Sequence, residues 1–206
     1  GILTFLACIA WFVIRGRSSL SFHLQESLKI TYLFSILFML FLIIIILIFR
    51  FRPDLYERPL LYFIISALMA GLIACQIVFS REQYKSVILS QIIILGASIP
   101  WSQLLLYPTV IGVDPWYHQN VTLKIIEFAT IPDGGYSHLP LFHLIIAINS
   151  LFLDLNYKIA AMFSVSIAQI VCNVLFIYLL GIFTTKNNRV GLFSALMVFL
   201  ADHHIY

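Results

Sequence analysis

The chain has 206 residues, of which 62% are hydrophobic and only 10% are charged, with a formal net charge of +3. An ordinary soluble domain is about 45–50% apolar and about 25% charged, so a water-soluble fold of this size is excluded. The few basic residues are scattered between apolar runs with no dense stripe, which excludes a nucleic-acid footprint.

A bilayer core about 30 Å thick is crossed by about 20 mostly apolar residues in a helix. In chain order, the run Gly1 to Ile14 falls short of that length, and Ile30–Phe49, Leu60–Phe79 and Val87–Tyr107 reach it. Ile159–Phe183 is a fourth full span, and Val190 to Tyr206 is again short. The chain starts on Gly1 and ends within an apolar run, which predicts a piece of a longer protein. The expected fold class is all-α: a polytopic transmembrane helical bundle with one external loop. Cys8, Cys75 and Cys172 lie within the apolar runs, where cysteine acts as a small hydrophobe, and they offer no disulfide framework or metal spacing. Residues 1–86 are hydrophobic all round with no polar pattern and read as accessory transmembrane helices.

Only one connection is long. From Pro108 to Leu139 the hydrocarbon pattern gives way to acidic, aromatic, His, Gly and Pro residues. Asp114-Pro115 reads as a helix start, with Asp as N-cap and Pro at the first helical position. The helix runs to about Ala129, and Val121, Ile125 and Phe128 give it one apolar face that suits a short amphipathic helix on the membrane surface. Pro132-Asp133-Gly134-Gly135 then makes a turn. Leu139 to Leu155, with Pro140, His143 and Asn149, is either a tilted crossing or a half-inserted helix. If it does not cross, seven of the twelve basic residues fall on the cytoplasmic side and the long loop faces outside. Arg50, Arg52 and Arg58 run against that bias.

The segment Gly112-Val113-Asp114-Pro115-Trp116-Tyr117-His118 places a carboxylate, two aromatics and an imidazole just beyond a span. Composition alone allows a plain reading: Asp114 caps its helix while Trp116 and Tyr117 join the interfacial aromatic belt. Five of the six histidines, His118, His138, His143, His203 and His204, fall in or after the loop, and with an Asp they are candidates for a metal site. Their alternative is interfacial placement or pairing with backbone carbonyls. Asn120-Val121-Thr122 matches a glycosylation sequon.

The order Gly-x-Asp-Pro-Trp-Tyr-His resembles the first external-loop signature of the C-type (GT-C) glycosyltransferases, especially oligosaccharyltransferase catalytic subunits and dolichyl-phosphate-sugar mannosyltransferases. Ile131-Pro132, Tyr136-Ser137-His138-Leu139-Pro140-Leu141-Phe142-His143 and Asn188-Arg189-Val190-Gly191-Leu192-Phe193 extend the similarity over residues 100–206. The resemblance implies that residues 87–206 are the N-terminal part of a catalytic domain in a multi-pass cell-membrane enzyme. Such an enzyme transfers a sugar or oligosaccharide from a polyprenyl-phosphate donor to a protein or glycan acceptor on the external face, with membrane lipid as its surroundings. It implies Asp114 as the catalytic carboxylate, with Trp116, Tyr117, His118, Tyr136 and His138 around the substrate. In one branch a divalent cation, Mg or Mn, is held by Asp114, with His118 and Asp202 as further candidate ligands. Asp202 comes 13 residues after Arg189, too soon for a completed crossing at about 1.5 Å per residue, so the family's second acidic motif is expected beyond Tyr206. Two other classes stay open: a membrane transporter, which would gather its polar groups near the midplane, and a non-catalytic assembly subunit.

Overall fold

The computed structural model describes residues 28–51, 58–106 and 113–202, with side chains for 31–51, 58–102 and 114–198. Among the described residues the secondary structure is helical, joined by turns, with no strand. Seven helical elements follow in order: α1 (Leu28–Arg50), α2 (Leu60–Phe79), α3 (Lys85–Leu106), α4 (Val113–Phe128), α5 (Leu141–Leu153), α6 (Tyr157–Thr185) and α7 (Asn188–Asp202). A 3-10 turn at Glu82–Tyr84 leads into α3, and α6 contains a π-helical turn at Met162–Ile167. Four of these, α1, α2, α3 and α6, are long and apolar enough to cross a membrane.

Helix α2 shows why the bundle closes as it does. It starts after Pro59, which cannot continue a helix from its own N side, and it ends at Ser80 in an extended conformation. Its buried residues Tyr62, Ile65, Met69, Ile73, Gln76 and Ile77 recur at three and four positions, which puts them on one face. That face packs with α1, α3 and α7 in a core that includes Phe38, Ile92, Leu95, Val174, Leu192 and Leu196. The outer faces are apolar too: Leu33, Ile36, Leu40, Ile43, Leu61, Ile64 and Leu68 are exposed. A contiguous apolar exterior of that extent is what a lipid-facing surface requires, since soluble proteins rarely expose patches above a few hundred Å².

Polar side chains meet inside this apolar bundle, where the sequence shows no pattern. Thr31 Oγ1 donates to Ser80 Oγ at 2.8 Å. Ser35 Oγ accepts from Gln91 Nε2 at 3.1 Å and from the fully buried Gln76 Nε2 at 3.4 Å. The partners are 41 to 56 residues apart, so packing of α1, α2 and α3 creates the cluster. Both amide oxygens, Gln76 Oε1 and Gln91 Oε1, are buried without a partner. Ser35→Ala leaves two buried amides without their acceptor and is expected to cost about 1–3 kcal/mol. Gln91→Leu also removes an unpaired oxygen and is expected to cost less than about 1 kcal/mol. Unfolding midpoints of the two variants in the same detergent check that order.

Helices α6 and α7 form a close antiparallel pair. Lys186 takes a left-handed conformation (φ 56°) that ends α6, and Asn187 Oδ1 accepts from the backbone N–H of Arg189 at 2.9 Å, starting α7. The Arg189 guanidinium donates to the Ser80 carbonyl at 3.3 Å, placing a cation at the C-terminal end of α2, where the helix dipole favours it.

Helices α4 and α5 stand apart from the main core and are joined to it through α6. Helix α5 has 13 residues, about 20 Å long at 1.5 Å per residue, and is shorter than a bilayer core. It is one of the shorter apolar helices of the described residues. Its buried face, His143, Ile146, Ala147 and Ser150, packs on α4 and on the start of α6 around Tyr157 and Ala160.

Candidate functional site

The long segment forms a helix, a glycine turn and a second short helix, as its residue order predicts, but the details of α4 differ. The helix starts at Val113, so Asp114 sits inside the first turn and is not its N-cap. The negative charge still lies where the N-terminal dipole favours it. The buried face also differs from the one expected. Thr122 and Ile125 are buried and Val121 is half-buried, whereas Phe128 is 61% exposed. The reason is the docking of α5, which approaches along the His118, Thr122 and Ile125 side and leaves Phe128 beyond its reach. Thr122 is fully buried and its hydroxyl donates to the His118 carbonyl at 2.9 Å, so the sequon's hydroxyl is withdrawn from the surface.

Ala129 at φ 53° ends α4, and the chain reverses through Gly134, whose φ of 154° suits glycine. Ser137 closes the turn, its N–H and its hydroxyl both donating to the Gly134 carbonyl at 3.1 and 2.8 Å. This turn delivers Tyr136 over two imidazoles. Its ring centroid lies 4.8 Å from that of His118 and 5.4 Å from that of His143. Tyr117 packs on Tyr136 at 5.7 Å, and Phe142 on His118 at 5.1 Å.

Within this aromatic surround three titratable groups form a line. Asp114 Oδ2 faces His118 Nε2 at 3.4 Å, and His118 Nδ1 is 2.9 Å from His143 Nε2. Asp114 and His118 are four residues apart on one helix face, while His143 arrives from α5. Side-chain exposure falls from 76% at Asp114 to 17% at His118, and His143 is 1% exposed as a whole residue. The line therefore runs from solvent into the protein.

Burial holds the His143 imidazole below its ordinary pKa of 6.5, and the neighbouring His118 lowers it further. Just below pH 6.5 the unfolded chain takes up a proton that native His143 refuses, so stability is full above 6.5 and declines as pH falls through the native pKa. Unfolding midpoints recorded from about pH 8 to about pH 5 are expected to fall on the acid side, and more shallowly in His143→Gln.

Of the residues expected around the substrate, Asp114, Tyr117, His118 and Tyr136 come together. Trp116 is exposed and lines a shallow groove with Tyr117, Gln119, Asn120 and Leu123. His138 is exposed on the turn and outside the cluster. The Asp202 side chain, His203 and His204 lie outside the described residues. His143 is the partner that sequence reading did not assign to His118. Its only local signal is its place on the buried face of α5 with Ile146 and Ala147, three and four positions on.

A hard divalent cation takes about six oxygen ligands. Among the described residues no group of three or more His, Cys, Asp and Glu side chains is placed to hold a metal ion. Both ring nitrogens of His118 already face other groups. Of the three ligands expected for a cation, Asp114 and His118 stand together, and the Asp202 side chain lies outside the described residues. The line fits proton handling: an exposed carboxylate backed by two hydrogen-bonded imidazoles. No protein-family model, curated protein or solved structure matches the chain.

Proposed function

We propose that this chain is part of a multi-pass membrane glycosyltransferase of the GT-C type, which takes a sugar from a polyprenyl-phosphate donor and passes it to a protein or glycan acceptor at the outer face of the cell membrane. The observation that carries the reading is the exposed Asp114 carboxylate, held beside His118 at the start of a helix on an otherwise apolar bundle. A lipid-linked substrate reaches a protein from the bilayer, so a reacting carboxylate beside apolar helices is well placed to meet it.

In this reading Asp114 is the general base. Its carboxylate accepts the proton of the acceptor hydroxyl as that oxygen bonds to the sugar's anomeric carbon, and the bond from that carbon to the phosphate oxygen breaks. The phosphate leaves with the bonding pair. His118 holds the carboxylate in place, and Tyr117 and Tyr136 supply the aromatic surfaces beside it.

The test is transfer of radiolabelled sugar from a polyprenyl-linked donor by membranes holding the protein or its Asp114→Ala form, with and without a chelator. Loss of transfer on substitution supports the reading. Sensitivity to the chelator would return a metal to Asp114, with ligands from outside the described residues. Equal transfer by both forms removes Asp114 from the chemistry.

A further inference from the structure

Arg189 ties the turn between α6 and α7 to the end of α2, its guanidinium donating to the Ser80 carbonyl across 109 residues of sequence. That contact sets two connections against each other at one end of the bundle: residues 80–84, between α2 and α3, and residues 186–187, between α6 and α7. Arg189 is turned inward on this bond, whereas Arg81, Lys85 and Lys186 are exposed. Glu82 is the one carboxylate in the two connections. At the opposite end, among the described side chains, Asp114, Glu127, Asp133 and Asp154 match the lysines and arginines one for one. The excess positive charge of the described side chains therefore gathers where α2 and α6 end.

Two further features set this end at the level of a bilayer surface. The α1 start lies beside it, through the Thr31–Ser80 hydrogen bond, and the exposed Tyr32 meets Tyr84 edge-on with ring centroids 6.0 Å apart. Tyrosines at the ends of spans belong to the membrane–water interface. Lys186 Nζ lies 4.8 Å over the ring of Phe183, and Phe176, Leu179 and Leu180 continue an exposed apolar flank along α6. Cation and apolar flank thus adjoin in the order that a lipid presents headgroup and acyl chains.

We infer that this end of the bundle binds the headgroup phosphate of an anionic phospholipid, held by Arg81, Lys85 and Lys186, with the acyl chains along the apolar flank of α6. A free phosphate would find only exposed cations, whose pairing in water is weak and screened by salt. The bilayer supplies the same phosphate already confined to the plane of these side chains, and each basic residue near an anionic lipid surface strengthens association about five-fold. The surface lies at the other end of the bundle from Asp114 and does not depend on sugar transfer.

The test uses the full protein in nanodiscs of equimolar phosphatidylglycerol and phosphatidylcholine, with native mass spectrometry reading the lipids that it retains on release. The expected result is preferential retention of phosphatidylglycerol, falling by about five-fold for each cation removed and reaching the input ratio in Arg81→Gln/Lys85→Gln/Lys186→Gln. Arg81→Lys/Lys85→Arg/Lys186→Arg keeps the preference, as does Arg50→Gln/Arg58→Gln at the other end. No preference in the unsubstituted protein overturns the proposal, and that reading needs no variant to fold. An undiminished preference in the triple glutamine variant overturns it too, as does an equal loss in Arg50→Gln/Arg58→Gln. Inorganic phosphate added to discs of phosphatidylcholine alone is expected to leave the unfolding midpoint in place. A rise that the triple glutamine variant abolishes would mean a site for the free anion and would overturn the assignment to lipid.

Discussion

Asp114→Asn is expected to lower the rate of sugar transfer by about 10²- to 10⁴-fold, the usual contribution of a positioned general base, while leaving the unfolding midpoint nearly unchanged. The two effects separate because of where the carboxylate sits. Its side chain is 76% exposed and its recorded partner, His118, is 3.4 Å away. Exposed pairs of this kind are worth about 0–1 kcal/mol, and the favourable helix-dipole contribution of a charge in the first turn is about 0.3–1 kcal/mol. Asparagine keeps the shape and loses only the charge. Initial transfer rates and thermal unfolding, measured on one preparation, check both halves. If stability falls in step with the rate, Asp114 is a structural residue and the catalytic reading is lost.

Gly191→Val is expected to produce the largest loss of stability, about 3 kcal/mol or more, because it overfills the α6–α7 contact. A Cβ at Gly191 would stand 2.8 Å from the Tyr178 carbonyl oxygen and 2.9 Å from Ile182 Cγ1. One at Gly181 would stand 2.7 Å from the Gly191 Cα. Backbone atoms yield only if the two helices part. Parting them also withdraws Leu192, Ala195 and Leu196, which the core encloses almost completely. Small residues at such crossings let helix backbones approach closely, which is how helices associate where lipid removes the hydrophobic drive. Gly71→Ala is the internal control. Nothing lies within 4 Å of a Cβ there, and alanine in a helix interior is more stable than glycine by about 0.5–1 kcal/mol. Unfolding in a single detergent is expected to move in opposite directions for the two substitutions. A Gly191 variant as stable as the parent would mean that the helix pair is not packed this closely.

The elements themselves were legible in the residues. Leu60–Phe79 is bounded by Pro59 and by Ser80-Arg81, and an apolar run between a helix breaker and a charge needs no tertiary information to become a helix. The same holds for the Pro132-Asp133-Gly134-Gly135 turn, where Gly134 takes a φ of 154° that suits glycine. Length and hydropathy are sums over neighbouring residues, so local sequence determines them.

What only the tertiary structure decided are the pairings between distant residues. Ser35 is 41 and 56 residues from the two glutamines it joins, and His118 is 25 residues from His143. No periodicity encodes such contacts, because they depend on how far each helix rotates about its axis when it packs. That rotation also moved Phe128 off the buried face of α4, placed Trp116 outside the histidine line, and buried Thr122 of the sequon. By itself, the sequence determined an all-helical chain with four helices long and apolar enough for a bilayer and one polar segment rich in reactive side chains. Helix packing decided which of those side chains touch across helices: it set His143 against the Asp114–His118 pair of α4 and left His138 out of the line.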